Sequence, residues 1–145
     1  MRLMLTGMLD ELDMNIDRIS AVKEIETSIP EMVKLEVNYY PMFLGSWEAL
    51  LYSGDVDMVR DEELLKDILK SYSYSRVYND TLSLINLQQL LKPEPIGTEH
   101  VKRFRHVVGY LRGKEGDKED IGVYDRLRGR IKKELKLKDE GRSTV

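Results

Sequence analysis

The sequence predicts an all-α fold, a bundle of four to five helices organised around one long helix at about residues 61–91. Apolar residues recur every three or four positions along most of the chain, which is the helical period. This period persists longest over 61–91. A short segment carrying the only tryptophan precedes it and closes at Ser53-Gly54, which is typical of a helix end. The 145 residues, 41% hydrophobic and 34% charged, suffice for one core.

The first helix is predicted from about Leu3 to Glu24. Its inward stripe consists of Leu5, Met8, Leu12, Asn15, Ile19 and Val22. Asn15 interrupts an otherwise apolar seam, and two interpretations stay open. It sets the register of helix pairing at some cost in stability, or it points to the edge of the seam.

Residues 25–45 allow two interpretations. Pro30 suits the first turn of a short helix, whereas the alternation from Leu35 to Tyr39 is typical of an extended piece. Pro41 biases Tyr40 away from helical dihedral angles. We expect a short helix that runs into an extended crossing segment.

The tryptophan segment predicts a two-turn helix that closes one end of the bundle. Ser46 is the expected N-cap, and Gly54 suits a left-handed C-cap. Trp47, Leu50 and Leu51 share one face. We therefore expect Trp47 to be buried as an end plug.

The long helix is predicted to begin at the N-cap Asp61 and to end near Leu91. Its inward stripe is Leu64, Leu65, Ile68, Tyr72, Ser75, Tyr78, Leu82, Ile85 and Gln89, widened by Leu69, Asn79, Leu87 and Leu90. At 1.5 Å per residue it is roughly 46 Å long. A helix of this length needs several partner helices or a second subunit, so we expect a homo-oligomer, a dimer first.

The C-terminal part is predicted to be a basic helical hairpin at residues 98–138. Pro93, Pro95 and Gly97 end the long helix, and Thr98 caps a helix that runs to Arg112. A solvated loop at 113–120 leads to a last helix from about Ile121 to Leu137. We expect one domain over 1–145, with an acidic part at 1–92 and a frayed tail at 139–145.

Charge is unevenly divided along the chain. Residues 1–99 carry 9 Lys/Arg and 18 Asp/Glu, whereas residues 100–138 carry 13 and 6. The last helix presents a basic face made of Arg126, Arg128, Arg130, Lys132, Lys133 and Lys136. Either this face folds against the acidic half, within a subunit or across a dimer, or it contacts nucleic-acid phosphates or another partner.

Three short patterns resemble a recurrent helical module of uncharacterised prokaryotic proteins, over roughly residues 8–90. The matching positions are Glu11, Leu12 and Asn15, then Trp47, Leu50, Leu51, Ser53 and Gly54, then Tyr72 and Asn79. The resemblance implies a helical fold in which Trp47, Gly54, Tyr72 and Asn79 are structural. It implies no activity. Many members place a membrane helix before the first segment.

The sequence lacks the motifs of most enzyme classes. It has no cysteine, no phosphate-binding loop, no G-x-S-x-G elbow and no H-E-x-x-H pair. His100 and His106 are six residues apart and face different ways on one helix. We expect no catalytic residue, no cofactor and no bound metal.

The leading functional hypothesis is a non-enzymatic, self-associating helical interaction module whose protein partner is unknown. The second is a nucleic-acid-associated protein that uses the basic last helix, and the third is an all-α, metal-dependent nucleotide hydrolase. No apolar run reaches the roughly 18–20 residues of a membrane span. A cytoplasmic location, as a soluble part of a membrane-associated system or alone, is expected.

Overall fold

The computed structural model describes residues 2–22, 40–91, 98–113 and 121–143. Five α-helices fill these ranges, and the one β-type pairing within them is a bridge between Gly113 and Ile121. The helices are α1 (Arg2–Ser20), α2 (Gly45–Ser53), α3 (Glu62–Leu91), α4 (Thr98–Arg112) and α5 (Val123–Ser143). This confirms the predicted all-α bundle. The short helix expected within 25–39 lies outside the described residues.

The first helix, α1, buries the predicted stripe from Leu5 to Ile19. It ends at Ser20, so the prediction that it continues to Glu24 was wrong. A turn follows, in which the Val22 N–H donates to the Ile19 carbonyl at 3.2 Å. This turn brings Val22 into the core although the residue is not helical.

The short helix α2 is closed at its C-terminus as predicted. Gly54 has a φ of 74°, and its N–H donates to the Leu51 carbonyl at 3.4 Å. Only glycine adopts this left-handed conformation without a steric penalty. Ser46 is not the N-cap, because the helix begins one residue earlier, at Gly45, without a side-chain cap of its own.

The long helix α3 begins as predicted. The carboxylate of Asp61 accepts hydrogen bonds from the N–H groups of Glu63 (3.0 Å) and Leu64 (3.2 Å). These bonds satisfy two of the amide groups that a helix start leaves without intrahelical partners. Its inward face is buried from Leu64 to Ile85. Leu69 and Leu87, expected to widen the inward stripe, are exposed instead.

Helices α4 and α5 complete the bundle by packing against α3, and α5 also packs against α1. The first turn of α5 contacts two serines of α3. The Ser71 hydroxyl donates to the Val123 carbonyl at 3.3 Å, and the Ser75 and Tyr124 hydroxyls share a hydrogen bond. Their small side chains leave room for this approach. Helix α5 extends to Ser143, past the predicted end at Leu137.

None of the helices in the described ranges has the length and apolar character that crossing a membrane requires.

Candidate functional site

The segment of residues 40–44, here called the crossing segment, is held by side chains of two helices. Asn79 of α3 accepts from the Met42 N–H (2.7 Å) and donates to the Met42 carbonyl (3.0 Å). Asn15 of α1 pairs with Phe43 in the same way, at 2.8 and 3.0 Å. Each carboxamide thus replaces the hydrogen bonds that a neighbouring strand would supply.

Arg18 adds a third anchor to the crossing segment. Its guanidinium donates to the Pro41 carbonyl and lies 3.9 Å from the centre of the Phe43 ring and 5.4 Å from that of Tyr40. Both distances are within the range of cation–π attraction. Asn15 and Arg18 therefore hold the crossing segment against α1, and Asn79 holds it against α3.

Glu11 joins three elements of the fold. Its carboxylate accepts the Tyr72 hydroxyl of α3 at 2.9 Å and the Ser46 N–H of α2 at 2.9 Å. It thereby serves the first turn of α2 in place of a local N-cap, where a negative charge also meets the helix dipole favourably. Trp47 stacks on Tyr72, with ring centres 5.6 Å apart. Glu11, Asn15, Tyr72 and Asn79 are here called the polar cluster.

The polar cluster makes its hydrogen bonds within the protein and thereby supports the fold. Glu11 is only 8% exposed, and both its oxygens accept hydrogen bonds from the protein. Burial, with the Glu11 carboxylate beside it, raises the pKa of the Tyr72 hydroxyl far above its ordinary value. Tyr72 is therefore a neutral hydrogen-bond donor throughout the physiological range, and it is only 1% exposed.

The six predicted contact residues of the basic face do not form one surface. Arg128 donates to Asp13 of α1 at 2.6 Å. Arg130 forms ion pairs on α3 with Glu63, at 3.9 Å, and with Asp67, whose side chain is 8% exposed. A carboxylate buried to this degree needs a charged or hydrogen-bonding partner. These pairs join the basic C-terminal part to the acidic N-terminal part within one subunit.

The other four basic residues face solvent. They are Arg126, Lys132, Lys133 and Lys136, and they share one side of α5 by helical spacing. Asp125 lies among them and lowers the net positive charge of this side.

A concave groove lies between α3 and α4. It encloses about 510 Å³ and is lined by Tyr74, Val77, Lys102, Arg103, His106, Val107 and Tyr110. The Tyr74 and Tyr110 rings stack with centres 4.9 Å apart and planes 8° apart. The His106 ring meets Tyr110 edge-on at 4.7 Å. This α3–α4 groove thus combines an aromatic wall with three basic side chains.

Sequence reasoning missed this groove because its two tyrosines belong to different helices. One signal was present in α4, where Arg103, His106 and Tyr110 repeat at helical spacing away from the buried stripe of Phe104, Val108 and Leu111. In α3, Tyr74 and Val77 fall outside the inward stripe. Neither signal shows that the two sets of residues meet.

Among the residues that the structure describes, no three His, Cys, Asp or Glu side chains are placed to hold a metal ion together. Trp47, Gly54, Tyr72 and Asn79 all occupy structural positions, at the polar cluster or the end of α2.

Comparisons with protein-family models, with curated proteins and with solved structures found no match to this chain. The resemblance to a prokaryotic helical module stays a prediction, although its residues Glu11, Asn15, Tyr72 and Asn79 contribute to one connected set of contacts around residues 40–46.

Proposed function

We propose that this protein is a non-enzymatic helical interaction module that associates with a second copy of itself through the outward face of α3. The observation that supports this proposal is a row of exposed apolar side chains along that face. The row consists of Leu69, Val77, Leu84 and Leu87, each 40–52% exposed. At 100° per residue the four lie within about 80° of one another on the helix. They are here called the outer row.

An apolar row of this kind is an interaction surface rather than a set of isolated residues. Single exposed apolar side chains are normal on any protein, but an aligned series on one helix presents a strip of apolar surface, here interrupted by the exposed Ser73 and Asp80. The strip runs along a 30-residue helix whose opposite face is already buried in the bundle. A second helix-bearing surface is the partner that such a strip accommodates.

The apolar surface of the outer row is too small to give a high affinity by itself. Full burial of one such side chain is worth about 1.5–3 kcal/mol, so four half-exposed ones offer about 3–6 kcal/mol. Association costs about 4–15 kcal/mol in lost freedom of motion. The outer row alone therefore gives at most weak association, and micromolar association requires added contacts beside it.

Sedimentation equilibrium at micromolar concentrations tests this proposal. We expect the wild-type protein to show reversible association and V77D/L84D to sediment as a monomer. The matched control is L3D/M14D, since Leu3 and Met14 are exposed apolar residues of α1. A wild-type protein that stays monomeric overturns the proposal, and equal loss of association in both variants removes α3 as the surface.

A second candidate function, nucleic-acid binding, is supported by the four solvent-facing cations of α5. We propose it as the alternative, with Arg126, Lys132, Lys133 and Lys136 binding phosphates. Titration of single-stranded DNA at low salt tests it. R126A/K133A then weakens binding and makes the slope of log K against log salt shallower by about 0.7 for each phosphate that is no longer neutralised. K66A/K70A on α3 is the control. A flat titration contradicts it.

A further inference from the structure

The α3–α4 groove suits a ligand that presents an apolar group flanked by negative charges. Its wall is made of Tyr74, Tyr110 and Val77, and the last two retain 45% and 40% of their surface. Lys102, Arg103 and His106 contribute to its lining, and no carboxylate is among its seven lining residues. In a chain with net charge −3, this is a local excess of basic groups facing an apolar wall.

The same chain carries a surface of the opposite kind at the end of α2. Tyr52 is 88% exposed and Leu51 is 46% exposed. Glu48 lies one turn before Tyr52 on the same side of the helix, and Asp55 and Asp57 follow in an exposed 3₁₀ turn. Residues 47–59 contain these three carboxylates and no basic residue. Glu48, Leu51, Tyr52, Asp55 and Asp57 are here called the α2 corner.

We infer that the α2 corner of a second copy of this chain docks in the α3–α4 groove, an interaction that rests on the proposed self-association. Tyr52 is the anchor, placed against the Tyr74 and Tyr110 rings, and Asp55 and Asp57 face Lys102 and Arg103. An aromatic anchor in an apolar pocket, surrounded by opposite charges, is the usual composition of a strong protein–protein interface.

The burial free energy of the outer row alone is too small for micromolar association. The docked corner supplies the added binding area. Val77 belongs both to the outer row and to the groove. A chain seated in the groove therefore covers the middle of the row at Val77. Charge complementarity supplies orientation and association rate, and the apolar wall supplies the burial.

This arrangement is head-to-tail, because each chain offers two different complementary surfaces. Such a heterologous interface joins the corner of one copy to the groove of the next, so that a dimer keeps one free corner and one free groove. A symmetric α3-to-α3 dimer uses the same surface of both copies and does not use the α2 corner. The two arrangements respond differently when variants are mixed.

A mixing experiment with charge-reversed variants tests the inference. The groove variant is K102E/R103E and the corner variant is D55K/D57K, and all four substituted side chains are exposed. Each variant alone juxtaposes like charges, so we expect its association to weaken more than about tenfold relative to wild type. An equimolar mixture restores association, since each variant then meets a surface of opposite charge. Circular dichroism of each variant shows that it is folded.

The possible results distinguish head-to-tail docking from self-association in general. A wild-type protein that does not associate refutes both. If wild type associates and the mixture gains nothing over the separate variants, self-association stands and the head-to-tail arrangement is overturned. If wild type stays monomeric while single-stranded DNA binds and K102E/R103E weakens that binding, the occupant of the groove is nucleic acid.

Discussion

The two faces of α3 differ in how their side chains are used. On the inner face, Tyr72, Ser75 and Asn79 each have hydrogen-bond partners on another helix or on the crossing segment. On the outer face, the outer row contributes apolar surface that remains 40–52% exposed. The difference indicates that polar residues of this helix specify the fold, whereas its exposed apolar residues are available to a partner. Substitutions on the inner face should therefore change stability, and those on the outer face should change association.

Among the substitutions of buried residues, Trp47→Ala in α2 is expected to lower stability most. It removes a buried aromatic ring that stacks on Tyr72 at 5.6 Å and leaves a cavity at the end of the bundle. We expect a decrease of about 3–5 kcal/mol in the free energy of unfolding. Urea unfolding measures it. Leu3→Ala, at a residue of α1 that is 90% exposed, is the control and should cost about 0.5 kcal/mol or less.

Asn15→Ala should have the next largest effect. It leaves the N–H and the carbonyl of Phe43 without their partners. Because unsatisfied buried groups cost about 1–3 kcal/mol each, we expect a decrease of about 2–4 kcal/mol after partial hydration. Ser20→Ala removes an exposed hydroxyl that bonds only within α1, and it is the matched control. Equal effects of the two substitutions in urea unfolding are incompatible with a supporting role for Asn15.

Alkaline pH should destabilise the inner face through its buried tyrosines. Burial raises the pKa of Tyr72 and of Tyr124, so both stay protonated in the folded state above pH 10, where the unfolded chain releases these protons. The two tyrosines therefore contribute fully to the free energy of unfolding below about pH 10. Above it, the free energy of unfolding falls by about 1.4 kcal/mol per pH unit for each residue.

Tyr72→Phe separates this effect from the titration of other groups. The variant loses the hydrogen bond to Glu11 but should show a shallower decline of stability between neutral and alkaline pH than wild type does. Thermal unfolding as a function of pH measures the two slopes. Parallel curves contradict the assignment of the alkaline destabilisation to Tyr72.

The smallest expected effect on stability is that of Val77→Ser on the outer face. Val77 is 40% exposed, and we expect a change of about 0.5 kcal/mol or less in the free energy of unfolding. The same substitution should weaken self-association measurably in sedimentation. A large decrease in stability with unchanged association reverses the roles assigned to the two faces.

The parts of the fold that follow local rules were predictable from the sequence. The Asp61 cap, the left-handed Gly54 and the inward stripe of α3 depend on neighbouring residues and on helical period. The N-cap of α2 was predicted wrongly because its first turn is served by Glu11, which is 35 residues away in sequence. Leu69 and Leu87 were assigned inward, although the helical period places them on the same side as Val77 and Leu84 and away from the buried Ile68 and Ile85.

The candidate sites were less predictable because they depend on contacts between elements. The basic face of α5 was visible as a pattern, but its division into paired and solvent-facing residues depends on where Asp13 and Asp67 lie. Asn15 and Asn79 were recognisable as polar residues in apolar seams. Their shared role required the crossing segment between them.

The most direct test of the outer-face assignment is a thiol-labelling measurement, which the cysteine-free sequence makes specific. Single-cysteine variants L84C, on the outer row, and L3C, on α1, are labelled with a maleimide over a range of protein concentrations. The account predicts that labelling of L84C slows as concentration rises while that of L3C stays constant. Rates that do not depend on concentration at either position, or that slow equally at both, contradict it.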